Sequence, residues 1–328
     1  MSLRSFLHKS RVLISGDIRE IERNRISARN EKVKKRYGGK EPVYCILRLY
    51  SDEAGLFNYY LKGAAGVSYA VQHDMIPVID MQTKENIFFS KDERKQKNVW
   101  ELFFKQPADV SFSEVKNKKN CVVIENLRMP TGLATLRADE RQRTYWRTLC
   151  KKYLRFSDEM QEEIRSHEAF FAQKKKWLGV LARGTDMLCT AVGHAVQPEM
   201  PVLIGKIEEV CREYDCDGIF LATEDAEILA ALKSHFGDSL YYLEQKRYSG
   251  KQDTKLGQLA DYKEDAIMMN RTYLTAVYYL SRCSCLIAAD TGGAQGAYMM
   301  SEGFEFEHCW RLGTMGSTDP RSLDINKL

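Results

Sequence analysis

From residue 43 onward, short apolar runs alternate with longer segments in which apolar residues recur every three or four positions, a pattern that predicts strands separated by helices. The first group reads as a strand over 43–50, a helix over 55–72 and a strand over 76–81, which is a βαβ unit. A weaker stretch predicts a helix over 98–105, a strand over 121–125 and two long amphipathic helices over 140–156 and 158–174. Beyond Lys174, Lys175 and Lys176 the rhythm sharpens: strands over 177–182, 218–222, 239–243, 285–289 and 304–309, with helices over 198–214, 225–235, 265–281 and 293–301. Strands alternating with helices dictate parallel sheets covered on both faces. The expected fold class is therefore α/β, divided into two domains at 41–175 and 176–328. Residues 1–40 read as polar helices ending at Gly38-Gly39 before Pro42, a helical basic appendage outside the core.

Composition changes this picture little. A chain of 328 residues with 44% hydrophobic and 29% charged residues can fill two cores. No run approaches the ~18 apolar residues of a membrane span, and no apolar core followed by a small-residue cleavage site marks a secretory signal. A cytoplasmic protein is expected. The nine cysteines lack paired zinc-site spacings, so no metal site and no disulfide framework is expected. Net charge is +4, yet Lys32, Lys34, Lys35, Arg36 and Lys40 cluster. That cluster suits peripheral contact of residues 1–40 with the inner membrane face, against the plainer reading of a solvated helix. Without aromatics between the cations, nucleic acid is not expected as a partner.

Candidate chemistry concentrates where strands of the second half run into helices, the place where α/β sheets bind ligands. Arg183-Gly184-Thr185-Asp186 leaves the first strand; the arginine fork suits phosphate oxygens, or it ties down its own loop through an acid. Thr223-Glu224-Asp225 leaves the second, with Thr223 as a natural helix N-cap and the carboxylates as acceptors for the N–H pair of guanine. Asp290-Thr291-Gly292-Gly293 leaves a third, where backbone amides at a helix start can cradle an anion. His194, in the loop after Asp186, is a candidate general base or an ordinary loop histidine. In the first half, Gly55-Leu56-Phe57-Asn58 opens a helix at the corresponding place.

Together these segments resemble the fucosyltransferase superfamily of α-1,6-fucosyltransferases, nodulation fucosyltransferases and protein O-fucosyltransferases. Residues 180–186 are similar to its His-Val-Arg-Arg-Thr-Asp segment, residues 220–225 to Tyr-Leu-Ala-Thr-Asp-Asp, residues 290–298 to its late Ser-Ser-Gln stretch, and residues 55–58 to a Gly-Leu-Gly-Asn turn. Leu181 stands in place of the family histidine, and Gly184 in place of a second arginine. The resemblance implies the GT-B architecture, two Rossmann-like domains facing across a cleft. It implies donor binding by Arg183, Thr223, Asp225, Asp290, Thr291, Gly292 and Gly293, with an acceptor side at Gly55, Phe57 and Asn58. The implied reaction is inverting, metal-independent transfer of fucose or a similar sugar from a GDP-sugar to a glycan or lipid-linked saccharide in polysaccharide biosynthesis. Arg183 would take the leaving-group charge, and His194 or Asp186 would remove the acceptor proton. The alternative is a catalytically degenerate nucleotide-sugar or glycan-binding protein of such an assembly system.

Overall fold

The computed structural model describes residues 25–51, 54–89, 97–126, 139–185, 194–250, 256 and 259–313. Two parallel sheets organise them. In the first, β1 (Val43–Arg48) lies between β2 (Met75–Asp80) and β3 (Cys121–Glu125). The second has the order β6-β5-β4-β7-β8, built from β4 (Trp177–Leu181), β5 (Gly218–Ala222), β6 (Leu240–Tyr242), β7 (Cys285–Ala289) and β8 (Phe306–Trp310), all parallel. The chain leaves β4 in one direction through β5 and β6, then returns to its other side through β7 and β8. That reversal opens a crevice at the carboxyl ends of β4 and β7.

Successive residues of β4 point to opposite faces, as the pleat demands. Leu178 and Val180 join a core with α7 (Met200–Glu213) and α8 (Ala226–Phe236), whereas Trp177 and Leu181 join the larger core. The larger cluster runs without a break from the second sheet through α10 (Ala266–Leu280) and α11 (Gly292–Met300) to α2 (Leu56–Gln72), α4 (Glu140–Tyr153) and the first sheet. Glycine 179 permits this packing, since a Cβ there would sit 3.0 Å from Leu280 and 3.1 Å from Cys283.

Part of the expected appendage is built into the fold. A helix over 25–37, α1, buries Val33 in the larger core. Asn30 donates to Val123 O at 2.8 Å and accepts from Val123 N–H at 3.0 Å, so its amide acts as a strand partner on the open edge of β3. An unpaired edge invites association with other chains, and this side chain blocks one register of it.

Boundaries differ from expectation where geometry overrides pattern. The segment 98–105 forms only a 3₁₀ turn, Val99–Leu102, capped by Asn98. The single helix expected over 158–174 is two, α5 (Asp158–Ser166) and α6 (Glu168–Phe171), separated at His167. The break lets Phe170 and Phe171 pack on Trp177 and Phe220. Two short helices, α3 (Phe112–Val115) and α9 (Ala260–Glu264), had no pattern long enough to predict them. No helix among the described residues is long and apolar enough to cross a membrane.

Candidate functional site

The three polar junctions leave β5, β4 and β7, which are neighbours in the sheet, so their loops meet at one mouth. The β4 loop is held by the β5 loop. Gly184 N–H donates to Glu224 Oε1 at 3.0 Å and Thr185 N–H to Asp225 Oδ2 at 2.9 Å. Thr185 is fully buried with φ +47°, a conformation unfavourable for a β-branched residue, and it persists because Asp225 holds its amide. Gly184 is required by the same approach, since a Cβ would overlap the Asp225 carboxylate. The arginine that the resembling family carries there has no room. Gly184→Ala should therefore lose on the order of 2 kcal/mol of stability, read as a lower thermal midpoint.

Asp225, not Thr223, caps α8. Its Oδ1 accepts from Glu227 N–H at 2.8 Å and Ile228 N–H at 2.9 Å, while Thr223 Oγ1 sits inside the turn and accepts from Asp225 N–H at 3.1 Å. A shorter hydroxyl two residues earlier cannot reach the helix amides that a carboxylate at 225 reaches. Both residues are buried, at 2% exposure each, so Asp225 shapes the mouth through the amides it holds.

Arg183 brings a cation to this mouth. Its Nε lies 2.7 Å from Glu224 Oε2, and its guanidinium sits 5.6 Å from the centre of the Tyr273 ring on α10. The guanidinium is held from two sides with its side chain 18% exposed. The charge also reaches Tyr262, whose hydroxyl accepts from Asn270 Nδ2 at 2.9 Å and whose pKa burial nevertheless pushes up to about 12. At the third junction Thr291 caps α11, its Oγ1 accepting from Ala294 N–H at 3.3 Å, and Asp290 Oδ1 accepts from Gln295 Nε2 at 3.1 Å. Gly292 and Gly293 form the first turn, whose N–H groups have no acceptor within the helix. Tyr273 crosses so close to Gly293 that a Cβ would overlap its hydroxyl.

The first sheet reaches the same place through α2. Phe57, expected as an open acceptor contact, is only 4% exposed: its ring fills the notch left by Gly296, and a Cβ on Gly292 would lie 3.4 Å from the Phe57 Cβ. It is a wall between the two sheets. Gly55 and Asn58 are exposed, and Leu56 N–H donates to Asn270 Oδ1 at 3.1 Å, tying the start of α2 to α10.

Sequence reasoning missed a polar cluster at the mouth of the first sheet. Arg48, Asp80 and Glu125 end β1, β2 and β3 in register; Arg48 lies 2.9 Å from Asp80 and 3.3 Å from Glu125. Asp80 is completely buried, its Oδ1 also accepting from Gln82 and Thr83 N–H, while Glu125 keeps 22% side-chain exposure beside Tyr50. The available signal was a charged residue closing each of three apolar runs. Asn270 and Tyr273 were equally hidden, inside a helix read only for its apolar period.

Asp186 lies outside the described residues. His194 is described, in a loop beside the residues after β8: Val196 N–H donates to Gly313 O at 3.0 Å.

Two parallel Rossmann-like sheets whose carboxyl ends share a wall define the GT-B fold. The same fold occurs in the fucosyltransferase NodZ from Bradyrhizobium, to which this chain is similar with a TM-score of 0.52 at 13% identity over 79% of this chain and 94% of that one. The crystal structure of NodZ alpha-1,6-fucosyltransferase co-crystallized with GDP matches with a TM-score of 0.50 at 12% identity, over 79% and 93%. No protein-family model and no curated protein matches the chain.

Proposed function

We propose that this chain is a glycosyltransferase that moves fucose, or a similar sugar, from a GDP-sugar to a glycan or lipid-linked saccharide, with inversion and without a metal ion. The observation that carries this reading is the convergence of Arg183, the Asp225-anchored Gly184-Thr185 turn and the open first turn of α11 at one sheet mouth. The fold shared with an enzyme crystallised with GDP supports the choice of nucleotide. A guanidinium fork and helix amides together stabilise the charge that builds on a departing diphosphate.

In this reading Arg183, Gly292 and Gly293 hold the diphosphate, and Asp290 and Thr291 shape the helix start. Thr223 and Asp225 set the β5 turn beside the base, and Asp186 or His194 removes the proton of the attacking hydroxyl. Residues 176–328 carry the donor. Residues 41–175 present the acceptor past Gly55, Phe57 and Asn58, with Glu125 and Arg48 at the neighbouring mouth, and residues 1–40 supply membrane contact. The position of Leu181 favours a second reading, a binding protein without turnover. The residue is 3% exposed and packs toward Gly293, so nothing ionisable occupies the place of the family histidine.

A thermal-shift panel of GDP-, UDP-, dTDP- and CMP-sugars separates the nucleotides. GDP-sugar at 100 times its dissociation constant should stabilise by about 2.7 kcal/mol, and a shift with UDP-sugar alone would remove the guanine assignment. Acceptor-dependent release of GDP distinguishes transfer from passive binding.

A further inference from the structure

Helix α1 crosses the open edge of the first sheet from one face to the other. Ile26 packs against the core that holds Val115, Cys121 and Val123, and Val33 joins the core that holds Val122. Asn30, hydrogen-bonded to Val123, sits between them. These anchors recur at helical spacing, so they fix which way the helix is turned. Displaced from them by one residue runs a second row of the same spacing, made of Arg25, Arg29, Lys32 and Arg36, and each of these is exposed.

The turn between α3 and β3 adds to that row. It is closed on Val115, whose carbonyl accepts from Lys118 N–H at 2.9 Å and from Cys121 Sγ at 3.3 Å, and both Val115 and Cys121 belong to the cluster against which Ile26 packs. Lys116, Lys118 and Lys119, all exposed, therefore stand beside the part of α1 that Ile26 anchors. None of these cations meets a carboxylate among the described residues; Glu31, the acid of the same helix, pairs with Lys34 at 3.3 Å. Lys118 Nζ lies 4.6 Å from the centre of the Tyr44 ring and Arg36 5.3 Å from that of Tyr37. Both rings are half-buried, so no aromatic face opens between the cations for bases to stack on. Among the described residues the large apolar side chains that stand exposed are Val71, Tyr145, Val202 and Met268, none of them in α1 or this turn.

We propose that α1 and the 116–119 turn form one cationic face that docks on the phosphate headgroups of an anionic lipid bilayer, through charge alone and without insertion. This deepens, and rests on, the membrane contact proposed above for residues 1–40: the contact surface is composite and takes in a turn on the far side of β1. Each lysine or arginine near such a surface adds its own attraction, and the attraction fades within a Debye length. Because packing on β3 holds the helix and the turn together, the two sets of charges meet the surface as one body.

The test is co-sedimentation of the full chain with vesicles of phosphatidylcholine, alone or with about one-third phosphatidylglycerol. The protein should bind the anionic vesicles at about 0.1 M salt, leave them at about 0.5 M, and ignore phosphatidylcholine alone. Arg29→Glu/Lys32→Glu in α1 and, separately, Lys116→Glu/Lys119→Glu in the turn should each weaken binding about tenfold or more, with the thermal midpoint unchanged. Arg29→Gln/Lys32→Gln and Lys116→Gln/Lys119→Gln, which remove charge without adding repulsion, should weaken it by a smaller factor and decide the matter where a Glu pair lowers the midpoint. Full binding by both turn variants would overturn the composite face and leave contact through residues 1–40 standing. No binding of the unaltered chain to anionic vesicles would overturn both. Equal binding to neutral vesicles, binding that persists at high salt, or tighter binding to a DNA duplex at equal phosphate concentration would each overturn the proposal.

Discussion

Replacing Arg183 with alanine should slow sugar transfer by about a hundredfold or more, with the far-ultraviolet circular dichroism of the protein unchanged. The guanidinium is held at the mouth by both a carboxylate and an aromatic ring, which fix its charge at one point. Its removal also strips Glu224 of its counter-ion and leaves a carboxylate at the place proposed for the diphosphate, adding repulsion to the lost attraction. Steady-state release of GDP measures the first effect and the dissociation constant of GDP the second. Arg183→Lys, which keeps the charge but not the fork, should fall between the two proteins. Undiminished turnover in Arg183→Ala would take the residue out of the mechanism.

The second large effect belongs to Asp225. Its carboxylate serves three backbone amides at once, two in α8 and one at Thr185. Asp225→Ala therefore loses a helix cap, typically about 1 kcal/mol, and leaves the buried Thr185 N–H without its acceptor, roughly 1–3 kcal/mol more. Urea unfolding should show a destabilisation of about 2–4 kcal/mol, and the loop that carries Arg183 should bind GDP more weakly because its anchor is gone. Asp225→Asn, which keeps an acceptor oxygen for the helix, should recover much of the stability. An unchanged urea midpoint in Asp225→Ala would show that the loop is held by other contacts.

The strands of the second sheet were legible in the sequence because each is an apolar run ended by polar residues, and Gly218–Ala222 and Cys285–Ala289 have the expected limits. Helix ends were less so. Alternation and period report burial, whereas caps depend on which side chain reaches an amide, and at α8 that decided for Asp225 over Thr223. The long helix read over 158–174 broke because aromatic packing against Trp177 outweighed a continuous polar pattern. The three polar junctions were visible as motifs, but their adjacency is a property of strand order, and the Arg48, Asp80 and Glu125 cluster exists only once three strands are in register.

The ring of Phe57, seated against Gly296, ties the motion of the two sheets together. Swinging them widely apart would hydrate that ring at about 2–3 kcal/mol, before any other contact is counted. Domain opening of that kind is disfavoured in the resting protein, so under the proposed function exchange of nucleotide would fall to the loops rimming the mouth. Grafting the first-sheet half of another protein of this fold onto this chain would then need a matching bulky residue at position 57 as well as compatible surface charge.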